Sequence, residues 1–126
     1  MKILQLIHTA YRATTEEQDD TVVWLTHAMT GAGGDFDVLL SGNAVNYTVV
    51  GQNAGGLRFG EWQQTQPPSI ERDIRSLIAK DVNVYFVEED ARALALESAV
   101  QIEDVRPIAL KDVAGLIEGY DQVWRW

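Results

Sequence analysis

The sequence predicts an α/β protein, a three-layer α/β/α sandwich with a mostly parallel sheet of about five strands. Segments of strand character alternate with segments of helical period along the whole chain. Several of the strand segments are near-continuous apolar runs, as expected where helices cover both faces of a parallel sheet. Length sets the scale: 126 residues make a single domain, 1–126, that buries roughly two-thirds of its unfolded surface. Hydrophobic residues at 46% and charged residues at 23% supply a core without the charge excess of a disordered chain.

In order, "KILQLI" (2–7) reads as the first strand. "TTEEQDDTVVWLTHAMTGAGG" (14–34) reads as a helix: Thr14 with Glu17, or Thr15 with Gln18, has capping-box spacing, and glycines 31, 33 and 34 stop it. "FDVLLS" (36–41) is a second strand, "GNAVNYTVVGQNAGG" (42–56) a short helix and a flexible stretch, and "LRFGEWQQTQPP" (57–68) has no clear period. Ser69 caps a helix in which Ile70, Ile74, Leu77 and Ile78 form one apolar stripe, with Glu71, Arg72, Asp73 and Arg75 outside it. "VNVYFV" (82–87) is the third strand and 88–97 a short helix. "VRPIAL" (105–110) is a fourth strand that Pro107 places at an edge or a strand start. Val113, Leu116, Ile117 and Tyr120 repeat at helical spacing, and "DQVWRW" (121–126) is a closing fifth strand.

Composition excludes several functions. A chain without cysteine has no disulfide, thiolate metal site or thiol nucleophile. A formal net charge of −9 disfavours nucleic acid and anionic membranes as partners. The longest apolar runs fall far short of the ~20 residues that cross a bilayer, and no basic, apolar and cleavage regions follow in series at the N-terminus. The expected location is cytoplasmic. "GAGG" follows a helix, and "GQNAGG" lacks both the GxGxxG spacing and a preceding strand, so no nucleotide cofactor is expected. Two separated histidines offer no ligand spacing for a metal.

In open parallel sheets ligands bind beyond the carboxyl ends of the strands. That rule selects "HTAYR", "SGNAVNY" and "VEEDAR". His8 ends the first strand and is able to act as acid, base or donor, with Tyr11 and Arg12 near enough to help hold an anion; the bland reading is a hydrogen-bonded loop histidine. Ser41 and Asn43, flanking Gly42, offer a hydroxyl and free N–H groups to a small ligand, or simply make a turn. Glu88, with Glu89 and Asp90, is a carboxylate candidate, although the helix dipole favours acids in a first turn whatever their role. His27, mid-helix, reads as a surface or packing residue. Aromatic side chains suggest contact surfaces: Trp62 with Leu57 and Phe59 lies where local burial is difficult, and Trp124 and Trp126 share one face of the last strand.

Taken in order, "KILQLIHTAYR", the long helix, "VLLSGNAV", "VNVYFVEEDARALAL" and "LKDVAGLIEGYDQVWRW" resemble the DsrE/DsrF-like family, which includes the DsrE, DsrF and DsrH proteins of sulfur oxidation and the Tus sulfur-relay proteins. The similarity spans nearly the whole chain. It implies a small cytoplasmic α/β subunit that assembles with like subunits into homo- or hetero-oligomers, often trimers or hexamers. In catalytic members a cysteine near the end of the third main strand carries sulfur as a persulfide. The corresponding place here is at or beside Phe86 and Val87, both apolar. The resemblance thus implies a subunit without catalytic residues or cofactor, working by protein contact or small-ligand binding. The alternative is a small-molecule-binding enzyme or sensor with a pocket around His8.

Overall fold

The computed structural model describes residues 1–11 and 20–126. Its strands are β1 (Lys2–Ile7), β2 (Asp35–Leu40), β3 (Arg58–Phe59), β4 (Trp62–Gln63), β5 (Val84–Val87), β6 (Arg106–Ile108) and β7 (Gln122–Arg125). Its α-helices are α1 (Thr21–Gly31), α2 (Ile70–Ile78), α3 (Glu88–Ala93) and α4 (Val113–Glu118), with 3-10 helices at Gly42–Thr48 and Leu110–Asp112. Five strands form one sheet in the order β6-β5-β2-β1-β7, every neighbouring pair parallel. β6, with Pro107 inside it, is an edge strand, where a missing N–H is tolerated.

Strand alternation divides the core. On one face Ile7, Val38, Leu40, Val84 and Phe86 pack with Val22 and Val23 of α1, Ile74 and Leu77 of α2, and Ala44, Val45 and Tyr47 of the first 3-10 helix. On the other, Leu4, Leu39 and Val87 pack against Val113, Leu116, Ile117 and Tyr120. Each fully buried aliphatic side chain contributes about 1.5–3 kcal/mol relative to exposure. The two layers are unequal: α4 has no fully buried residue.

Element ends follow local chemistry. Asp20 caps α1, its Oδ1 accepting from the N–H groups of Val22 (2.9 Å) and Val23 (3.0 Å). This helix is shorter than the 14–34 expected, and the capping boxes at Thr14 and Thr15 lie outside the described residues. Ser69 caps α2 through the Arg72 N–H at 3.3 Å, as its position before an apolar stripe predicts. α3 ends at Ala93 rather than 97, because Leu94 leaves helical geometry and Ala95 takes φ +55°. The third strand starts two residues late: Val82 closes the α2 turn onto Leu77, and Asn83 donates to Asp37. The stretch 57–68, without period in the sequence, contains a two-stranded antiparallel hairpin pairing Arg58 with Gln63 and Phe59 with Trp62.

At the amino ends of the strands a polar knot is buried. Asp37, 2% exposed, accepts from the Tyr120 hydroxyl (2.6 Å), the Asn83 N–H (2.7 Å) and the Asn83 amide (3.0 Å), and pairs with the Lys2 ammonium at 3.1 Å. Burial pushes the Asp37 carboxyl up, but these donors together outweigh it and hold its pKa below the ordinary value. Among the described residues no helix is long and apolar enough to cross a membrane.

Candidate functional site

The carboxyl ends of β1, β2 and β5 carry the side-chain cluster that the strand-end rule points to. His8 directly follows β1, its N–H donating to the Trp126 carbonyl at 3.0 Å, and Ser41 follows β2, its N–H donating to the Ile7 carbonyl at 2.9 Å. With both backbones pinned by the ladder, His8 Nδ1 and Ser41 Oγ share a hydrogen bond of 3.0 Å. Gly42 makes room for the imidazole: at φ +52°, a Cβ there would stand 2.4 Å from His8 Cε1. Its N–H donates to Asp90 Oδ2 at 2.7 Å, joining the end of β2 to the first turn of α3.

These groups open onto a cleft of 440 Å³. Its polar lining is His8, Ser41, Asp90 and Arg125, and its apolar lining is Leu6, Leu39, Val87, Leu110 and Val113. Glu89 fixes one rim by accepting from the Leu110 N–H at 2.7 Å, and that bond holds its carboxyl below the usual range. The Arg125 side chain makes no hydrogen bond or ion pair among the described residues, while one oxygen of Asp90 is held by Gly42 and the other has no partner among them. The arrangement provides a hydrogen-bonded histidine–serine pair, one cation, one anion and an aliphatic wall. His8 is placed to exchange a proton with the Ser41 hydroxyl, and its Nε2 has no partner among the described residues to fix the tautomer.

Of the residues expected at a site, His8 and Ser41 meet here, whereas Tyr11, Asn43 and Glu88 lie elsewhere. Tyr11 donates its N–H to the Tyr47 hydroxyl at 2.6 Å and its own hydroxyl to Gln52; it lines a separate cleft of 250 Å³ with Pro68 and Ile70. Burial raises the Tyr11 pKa. Arg12 lies outside the described residues. Asn43 is exposed, its carbonyl accepting from the Asn46 amide at 2.9 Å. Glu88 points into a third cleft, 300 Å³, with Phe86, Arg92 and Gln101, so His8 and Glu88 do not converge. Arg125 is the member that sequence reasoning missed, and Asp90, which it grouped with Glu88 and Glu89, is the acid of that turn that reaches the cleft.

The interface candidates also divide. Phe59 and Trp62 are 67% and 54% exposed on the β3–β4 hairpin, with ring centroids 5.8 Å apart, and Leu57 is half-buried beside them. Trp124 instead packs edge-to-face on Phe36 at 5.7 Å, and Trp126, still 37% exposed, donates its indole N–H to the buried Gln5 at 2.7 Å. His27 behaves as a packing residue: its Nε2 donates to the Asp73 carbonyl at 2.9 Å and Nδ1 accepts from Lys80 at 3.2 Å. Among the described residues no group of three or more histidine or acidic side chains is placed to hold a metal ion.

No protein-family model and no curated protein matches the sequence. The fold does have a solved counterpart: the crystal structure of the ychN protein from E. coli is similar over 100% of both chains, with a TM-score of 0.73 and 16% sequence identity. ychN has a DsrE/DsrF-like fold, and this chain has the same fold. At that identity the likeness concerns architecture, and the residues of the cleft stand on their own geometry.

Proposed function

We propose that the chain is a non-catalytic, cytoplasmic DsrE/DsrF-like subunit connected with sulfur metabolism or sulfur relay, which assembles into a homo- or hetero-oligomer, a trimer or hexamer, and works by protein contact or small-ligand binding. The observation that carries this reading is a DsrE/DsrF-like fold in a chain without cysteine. Sulfur carriage as a protein persulfide requires a thiol, and the strand end where the resemblance places it holds Phe86 and Val87, 4% and 2% exposed.

Assembly is supported by surfaces that a lone subunit leaves half-covered. The α4 layer buries none of its own residues completely, and beside it Leu110 and Val123 are 59% and 37% exposed. Phe59 and Trp62 project together from the hairpin. Aromatic and aliphatic groups gathered in this way favour contact with another protein over solvent. Sedimentation velocity at micromolar concentration tests the reading, on the chain alone and mixed with the proteins encoded beside it. A trimeric, hexameric or mixed species is the expected result, and a strict monomer in every mixture refutes it.

The second reading, a small-molecule-binding enzyme or sensor, is favoured by one observation: His8 and Ser41 are hydrogen-bonded at the mouth of a cleft with an apolar wall. Ligand-induced shifts of the His8 ring resonances in NMR spectra would distinguish it from a purely structural role.

A further inference from the structure

We infer that the strand-end cleft binds a small zwitterion with an apolar tail, of the chemical class of the aliphatic α-amino acids. This rests on the small-ligand part of the reading above and is independent of the assembly part.

The charges of the cleft carry the argument. Asp90 and Arg125 line the same 440 Å³ space, yet no ion pair joins them. Arg125 has no protein partner among the described residues, and Asp90 spends one oxygen on the Gly42 N–H and leaves the other open. Opposite charges facing one cleft without meeting suit a ligand that carries both signs: a carboxylate for the guanidinium and an ammonium for the free Asp90 oxygen. The His8–Ser41 pair adds polar atoms at the same mouth, held in place by the backbone ladder and by the absence of a side chain at Gly42.

The remaining wall selects the tail. Leu6, Leu110 and Val113 offer the accessible aliphatic surface, with Leu39 and Val87, 0% and 2% exposed, buried behind it. A cleft of this volume falls within the range of small-molecule sites. Polyanions are opposed by a single guanidinium facing a carboxylate in the same wall, on a chain of net charge −9. A simple fatty acid leaves Asp90 unmatched beside the ligand, and a simple amine leaves Arg125 unmatched.

Isothermal titration calorimetry of the full chain at neutral pH, with L-leucine, isovalerate and isoamylamine as probes, tests this. Saturable leucine binding is expected, with each singly charged analogue at least about tenfold weaker. Arg125→Gln and Asp90→Asn are each expected to weaken leucine by at least about tenfold as well. The asparagine carbonyl still accepts from Gly42, so Asp90→Asn removes charge while leaving the junction joined. Absence of saturable leucine binding, or isovalerate or isoamylamine binding as tightly as leucine, overturns the inference on the wild-type protein alone. Folded variants that bind leucine like wild type overturn it too. Sedimentation of the same samples reports assembly separately, so either result can fail without the other.

Discussion

The imidazole of His8 occupies the space that a side chain at residue 42 would need, with Nδ1 2.7 Å and Cε1 2.4 Å from the position of a Gly42 Cβ. The left-handed backbone at Gly42 and the His8–Ser41 hydrogen bond are therefore one feature. Gly42→Ala must displace the ring as well as strain φ, and is expected to cost about 2 kcal/mol in urea denaturation. It should also abolish any ligand response of His8. Gly115→Ala is the matched control: no heavy atom stands within 4 Å of its Cβ position, and it lies inside α4. That change should raise stability by about 0.5–1 kcal/mol. A neutral Gly42→Ala would mean that the ring is not held there.

The Asp37 knot predicts acid sensitivity. Its folded pKa lies below the ordinary 3.8, so its contribution to stability is complete above that value and is lost as pH falls through the lower, folded value. Tyr120→Phe removes one donor, which should cost about 1 kcal/mol at neutral pH and bring the folded pKa back toward 3.8. Urea denaturation between pH 6 and pH 2 reads both effects. Indistinguishable acid limbs for wild type and Tyr120→Phe would refute the coupling.

The sequence made the strands β1, β2 and β5 legible through unbroken apolar runs, and α2 through Ser69 and its stripe. It made His8 and Ser41 legible because each directly follows a strand. Other features depend on which strands are neighbours. Three consecutive acids start α3, and only the placement of β5 beside β2 decides that Asp90 reaches the Gly42 N–H while Glu88 faces another cleft. Arg125 reaches the site because the chain crosses back to set β7 beside β1, a pairing of elements more than a hundred residues apart. The β3–β4 hairpin escaped notice because two-residue strands are too short to show a period, although Gly60 at φ +60° supplies its turn.

The hairpin predicts a separation of stability from association. Phe59 and Trp62 touch each other at an exposed tip. Replacing both with serine should change folding stability by no more than about 0.5 kcal/mol, the range for surface sites. If the pair belongs to an interface, the same double variant sediments at lower mass or loses its partner. Unchanged assembly would remove the hairpin from the interface and leave the α4 face as the contact.

The end of β5 gives a prediction about thiols that the absence of any native cysteine makes clean to measure. Val87 is 2% exposed and packs in the core with Leu4 and Leu39, whereas Glu88, one residue on, is exposed. A thiol at Val87→Cys is accessible only when that layer opens, so it should react with an aromatic disulfide reagent at least about a hundredfold more slowly than one at Glu88→Cys. Equal labelling rates in folded protein would mean that the α4 layer does not seal the strand end.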